Sequence, residues 1–134
     1  MSEQSEKQPT ILLLEKDDDT RRLLIENLRD RGYRVLPAFD EEASIEWLTN
    51  NQGINIDLIL MNQVRMSQQE CVESLERIYQ ETGLSSTIPS VIVADRYQAA
   101  LEGTEEKINH NKYIIYLENA QQLFDLLYRL CFDN

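Results

Sequence analysis

Short, almost wholly apolar runs recur along this chain at residues 10–14, 33–37, 57–61, 91–94 and 112–117, and most are followed by a longer segment whose apolar residues repeat with helical spacing. A run of four to six residues without polar alternation is too short for a helix and suits a strand buried on both faces. Parallel strands need a crossover between them, and the intervening segments supply it. They carry Leu23, Leu24 and Leu28; then Ala43, Ser44, Trp47 and Leu48; then Cys71, Val72, Leu75, Ile78 and Tyr79; and finally Leu123, Leu126, Leu127, Leu130 and Cys131. Each set lines one helical face. The segment 97–108 is Glu-rich with few apolar anchors and is the weakest of the expected helices. The expectation is an α/β fold: a five-stranded parallel sheet doubly wound with five helices.

Punctuation supports this division. Asp17-Asp-Asp-Thr20 and Asp40 offer capping oxygens, and Gly32 and Gly53 mark exits into the next strand. At 134 residues and 42% hydrophobic the chain suits one domain, 10–134, behind a polar lead-in, 1–9, with no room for an output domain. Thirteen basic against 24 acidic side chains give a net charge of −11, which argues against direct nucleic-acid binding and against anionic membrane surfaces. No apolar run approaches the ~20 residues that span a bilayer, nor does the start resemble a signal peptide, so a cytoplasmic location is expected. Cys71 and Cys131 lie far apart within apolar-periodic segments and read as reduced, buried thiols; with a single histidine they cannot complete a zinc site.

Four stretches, in this order, are more specific: Ile11-Leu-Leu-Leu-Glu15-Lys-Asp17, Asp57-Leu-Ile-Leu-Met-Asn62, Pro89-Ser-Val-Ile-Val-Ala94 and Tyr113-Ile-Ile-Tyr116. Together they resemble the receiver domain of two-component response regulators over residues 10–132. The resemblance implies a flavodoxin-like receiver fold with sheet order 2-1-3-4-5 and a site outside the carboxyl ends of its strands. It also implies phosphoryl transfer to an aspartate ending the third strand. That chemistry is assisted by an acidic pair holding Mg²⁺ after the first strand, a hydroxyl ending the fourth, and a lysine on the fifth.

This sequence departs from that pattern at nearly every position. Glu15 keeps one acid, and Lys16 replaces the other. Asn62 stands where the acceptor would be, and an amide has no nucleophilic carboxylate oxygen. Ala94 removes the hydroxyl, and Tyr116 aligns with the lysine. The segment 63–67 is one residue longer than the family's; a shifted register would put Gln63, also an amide, at the acceptor position. The reading is a degenerate pocket of Glu15, Lys16, Asn62, Ala94 and Tyr116 with no catalytic residue, metal or cofactor. Lys16 could replace the metal by pairing with Glu15 or a neighbouring aspartate. Asp17, Asp18 and Asp19 read as helix caps rather than a metal site.

The expected function follows: a stand-alone pseudo-receiver, not an enzyme, acting in signal transduction by phosphorylation-independent protein–protein interaction. Its partner would be a signalling protein such as a histidine kinase or another receiver, and the resemblance adds a homodimer through helix four, strand five and helix five as an option. Tyr97, Tyr113 and Tyr128 are the candidate interaction face. Two alternatives stay open: a phosphorylatable receiver using another carboxylate, and a flavodoxin-like cofactor binder. Asp57 is the rival carboxylate but lies at the amino end of its strand, and His110 sits in a loop, Asn109-His-Asn111.

Overall fold

A computed structural model describes residues 7–132; most of the lead-in, 1–6, and residues 133–134 lie outside them. The strands are β1 (Thr10–Leu14), β2 (Arg34–Ala38), β3 (Leu58–Asn62), β4 (Ser90–Val93), β5 (Glu105–Lys107) and β6 (Lys112–Ile115). The helices are α1 (Asp18–Asp30), α2 (Glu41–Asn50), α3 (Gln68–Thr82) and α4 (Ala120–Phe132). The sheet order is β2-β1-β3-β4-β6-β5, so the five strands expected from the apolar runs lie in the 2-1-3-4-5 order. All of them are parallel, and Leu14 sits beside Met61 while Asn62 sits beside Val93.

The helix starts are built from local side chains. Asp17 caps α1 by accepting from Thr20 N at 2.7 Å, and Asp40 caps α2 by accepting from Ala43 N at 2.8 Å. At α3 Ser67 and Glu70 form a reciprocal capping box, and Gly83 ends the helix in the left-handed region at φ 71°.

Strand alternation divides the core into two layers. Ile11, Leu13, Leu58, Leu60, Val91 and Ile115 pack against α1 and α4. Leu12, Leu14, Ile59, Met61, Ile92 and Ile114 pack against α2 and α3. The two cysteines are buried free thiols, one in each layer, and burial pushes Cys71 up to about 11 and Cys131 up to about 12. No helix among the described residues is long and apolar enough to cross a membrane.

One expectation is corrected. Residues 97–108 form no fourth helix of a set of five: a 3-10 turn, Ala99–Leu101, leads into β5, which runs antiparallel to β6 and makes the sheet six-stranded. The segment has no apolar stripe to lay on the sheet, so its backbone pairs instead. Gly103 donates to Tyr116 O at 2.7 Å, Tyr116 donates to Thr104 O at 2.9 Å, and Ile108 donates to Lys112 O at 2.8 Å. Asn109 Oδ1 accepts from the N–H groups of Asn111 and Lys112, which closes the hairpin loop containing exposed His110. The face of helix four, strand five and helix five is therefore absent in its expected form.

Candidate functional site

The carboxyl ends of β1, β3, β4 and β6 converge at one edge of the sheet, where a parallel α/β fold places its ligands. Glu15, directly after β1, is held there by its N–H donating to Ala38 O, and the residue is only 2% exposed. Its Oε1 accepts from Asn62 Nδ2 at 2.6 Å, and its Oε2 accepts from Asp17 N at 3.1 Å. The carboxylate is thus satisfied by an amide and a main-chain donor instead of a cation. Arg21 donates to the Glu15 carbonyl at 2.8 Å and pairs with Asp18, which fixes the start of α1 over the same strand end.

This arrangement does not fit the Mg²⁺ that the resemblance implies. Both Glu15 oxygens already carry a donor, the Asn62 amide presents its N–H₂ group to the carboxylate, and the next acids have other work. Asp17 caps α1, with Thr20 hydrogen bonds holding its carboxyl below the usual value, while Asp18 and Asp19 pair with Arg21 and Arg22. Among the described residues no three His, Cys, Asp or Glu side chains converge as metal ligands would. Lys16 is exposed and, among the described residues, has no ion pair with Glu15 or any neighbouring aspartate. The expected Lys16 pairing is not formed, because Glu15 turns inward while Lys16 points out.

The other half of the pocket is apolar. Ala94 is buried, and its N–H donates to Ile115 O at 2.9 Å. Tyr116 is buried beside it, its ring meeting Tyr97 edge-on at 5.3 Å, and burial raises its hydroxyl above the ordinary value. Tyr97 in turn donates its hydroxyl to the Leu117 carbonyl. Gln63, the alternative acceptor position, is tied into its own loop: Nε2 donates to Met66 O at 2.7 Å and Oε1 accepts from Asp95 N at 3.3 Å. Asp57 lies at the opposite end of β3, where its Oδ2 accepts from Thr10 N at 2.8 Å.

The structure brings Glu15 and Asn62 into contact and leaves Ala94 and Tyr116 directly after β4 and β6 at the same edge of the sheet, but it separates the three tyrosines of the expected interaction face. Tyr97 packs with the α2 and α3 layer, and Tyr113 with the α1 and α4 layer under Lys107 Nζ at 5.7 Å. Tyr128 is exposed on α4 and stacks on Phe132. Tyr97 and Tyr113 lie in opposite core layers, and β5 pairs along the β6 edge beside Tyr113.

Sequence reasoning missed an apolar cleft of about 170 Å³ next to Asn62, floored by Leu14, Met61 and Met66 and rimmed by Phe39 and Val64. The signal was present. Phe39 directly follows a strand and Val64 follows another, both beyond the positions the sheet buries.

No family model matches the sequence, and no curated protein matches it. Solved structures do. The receiver domain from the hybrid histidine kinase CckA matches with a TM-score of 0.64 at 21% identity, covering 91% of this chain and 98% of that one. The fold is that of a receiver domain. A response regulator receiver protein from Sinorhizobium medicae WSM419 gives a TM-score of 0.66 at 17% identity, covering 94% and 96%. A chain from the complex of histidine kinase ThkA with response regulator protein TrrA gives 0.63 at 18%, covering 91% and 97%. The receiver fold thus extends over nearly the whole chain.

Proposed function

We propose that this chain is a pseudo-receiver, acting in signal transduction through phosphorylation-independent binding of another signalling protein and carrying out no catalysis of its own. The observation that carries this reading is the 2.6 Å hydrogen bond from Asn62 to Glu15. It joins the acceptor position to the one retained acid, leaving neither a nucleophile nor a metal ligand at the end of β3. The burial of Ala94 and Tyr116 extends the same loss to the positions that would steady a phosphoryl group. A histidine kinase or another receiver is the kind of partner that fits: one of the similar solved structures is a complex of a histidine kinase with a response regulator.

The test is incubation with Mg²⁺ and acetyl phosphate, read by intact mass. A parallel titration with beryllium fluoride is read by amide NMR at Asn62, Ala94 and Tyr113. The expected result is no added mass and no saturable shift. A phosphoryl adduct would overturn the reading.

A further inference from the structure

The carboxyl edge that has lost its chemistry carries a different asset. Five large hydrophobic residues are markedly exposed among the described residues, and two of them, Phe39 (55%) and Val64 (38%), rim the same cleft. The others, Leu23, Ile54 and Tyr128, are scattered over separate elements. The cleft has an apolar floor of Leu14, Met61 and Met66, and its volume of about 170 Å³ compares with cavities of ~150 Å³ that admit a benzene ring. Methionine lets such a floor adapt to the shape it receives.

The charges around it lean positive once ion pairs are assigned. Asp40 and Glu41 line the cleft; Glu41 is neutralised by Arg77 through two hydrogen bonds of 2.7 and 2.8 Å, with Ser74 at 2.7 Å, whereas Asp40 caps α2 and keeps its charge. Lys16 is left without an ion-pair partner among the described residues. On the far side Met66 is shared with a second, shallower hollow that contains Arg65 and Arg96, neither of them in an ion pair, against a single acid, Asp95. Arg65 is also the one non-glycine residue of the described chain with positive φ, 57°, a backbone state in which most side chains are disfavoured. On a chain of net charge −11, three cations without ion pairs in the cleft and its adjoining hollow, against two such acids, Asp40 and Asp95, form a local excess of positive charge.

We propose that this edge is a docking site for an acidic segment of a partner protein, which seats one large apolar side chain between Phe39 and Val64 and sets its carboxylates against Lys16, Arg65 and Arg96. The proposal rests on the protein-binding reading above and names the chemistry of the partner. The apolar anchor supplies affinity, and the rim cations supply orientation and on-rate.

The probe is a synthetic capped peptide with a central phenylalanine flanked by glutamates. Its controls carry alanine for the phenylalanine or lysines for the glutamates, and inorganic phosphate is run alongside. Titrations into the ¹⁵N-labelled chain, with and without acetyl phosphate and Mg²⁺, are read by amide shifts and intact mass. The expected result is saturable shifts at Lys16, Phe39, Asn62 and Val64 with the acidic phenylalanine peptide alone. Val64→Glu abolishes them. The double variant R65E/R96E weakens binding about tenfold, and higher salt weakens it further. No saturable shift, equal shifts with the lysine peptide, or shifts with phosphate but not peptide would each overturn the docking site. A phosphoryl adduct in the mass arm would instead overturn the pseudo-receiver reading, so the two failures are distinguishable.

Discussion

The two ends of the sheet each bury a charged side chain and hold it by different means. At the carboxyl end Glu15 is 2% exposed and is met by neutral donors, the Asn62 amide and the Asp17 N–H. At the amino end Lys112 is fully buried, and its ammonium meets a counter-ion, Glu76, at 3.1 Å and the Asn111 side-chain Oδ1 at 3.0 Å, with the Tyr79 ring 5.1 Å away. Glu76 remains 46% exposed, so water reaches that pair and lowers the cost of keeping it. The contrast shows two ways of satisfying a buried charge, by neutral donors and by a counter-ion. The amino end is an ion pair that staples α3 to β6, while the carboxyl end is a hydrogen bond between a buried carboxylate and a neutral amide.

The largest effect should come from restoring the acid. Asn62→Asp places a second carboxylate where the amide now sits, 2.6 Å from Glu15. Two carboxylates this close cannot both ionise cheaply, so the pair's proton is held to a higher pH in the folded state than in the unfolded chain. Stability is then fully present below the ordinary carboxylate range and is lost as pH rises through the raised folded value. Urea unfolding should show a loss of about 2–4 kcal/mol at pH 8 and near-parity with the parent at pH 4. Equal stability at both pH values would show that the Glu15–Asn62 contact is looser than drawn and would weaken the contrast between the two ends.

At the amino end, Glu76→Gln keeps the hydrogen-bonding shape and removes the counter-charge. Breaking a fully buried pair costs ~3–5 kcal/mol, and the half-exposure of Glu76 reduces the expectation to about 1–2 kcal/mol. Lys112→Met, which removes the buried charge and keeps most of the stem, should be close to neutral in the same assay. If both variants lose equally, Lys112 is held by more than Glu76, and the two ends are more alike than the distances say.

Much of this was legible in the sequence. The five apolar runs lie within one or two residues of the five parallel strands, because continuous burial on both faces leaves a composition no loop imitates. The caps at Asp17 and Asp40 were legible because an N-cap is a local event. Asn62, Ala94 and Tyr116 could be placed at the site edge because each ends or directly follows a strand. What could not be read was β5: Glu105, Glu106 and Lys107 are all charged, and the strand is held by main-chain pairing to β6 and by Arg129 on Glu105 at 2.6 Å, which leaves no hydrophobic alternation to detect. Nor could the separation of Tyr97 from Tyr113 be read, because the two lie in opposite core layers. The inward turn of Glu15 was hidden too, since sequence places a side chain at an edge without saying what it touches there.

The smallest expected effect sharpens the comparison by supplying an exposed control. Glu41 and Arg77 join α2 to α3 by a fork of two hydrogen bonds, with Ser74 donating to the same carboxylate. The Arg77 hydrogen bond holds the Glu41 carboxyl below its ordinary value of 4.5, with Ser74 and the Arg77 charge acting in the same direction. A depressed folded value gives stability that is present above the unfolded value and lost as pH falls through the folded one, opposite in sign to the Asn62→Asp pair. Glu41→Gln should therefore cost under about 1 kcal/mol at pH 7, because a carboxylate 27% exposed and an arginine 52% exposed are well screened. The deficit should shrink further below about pH 4, where the parent's carboxyl also takes up a proton. Thermal unfolding at pH 7 and pH 3.5 checks this. A loss matching that of Glu76→Gln would mean that exposure does not grade these charges, and that the helix-to-helix fork ties the α3 face of the sheet as strongly as the buried lysine does.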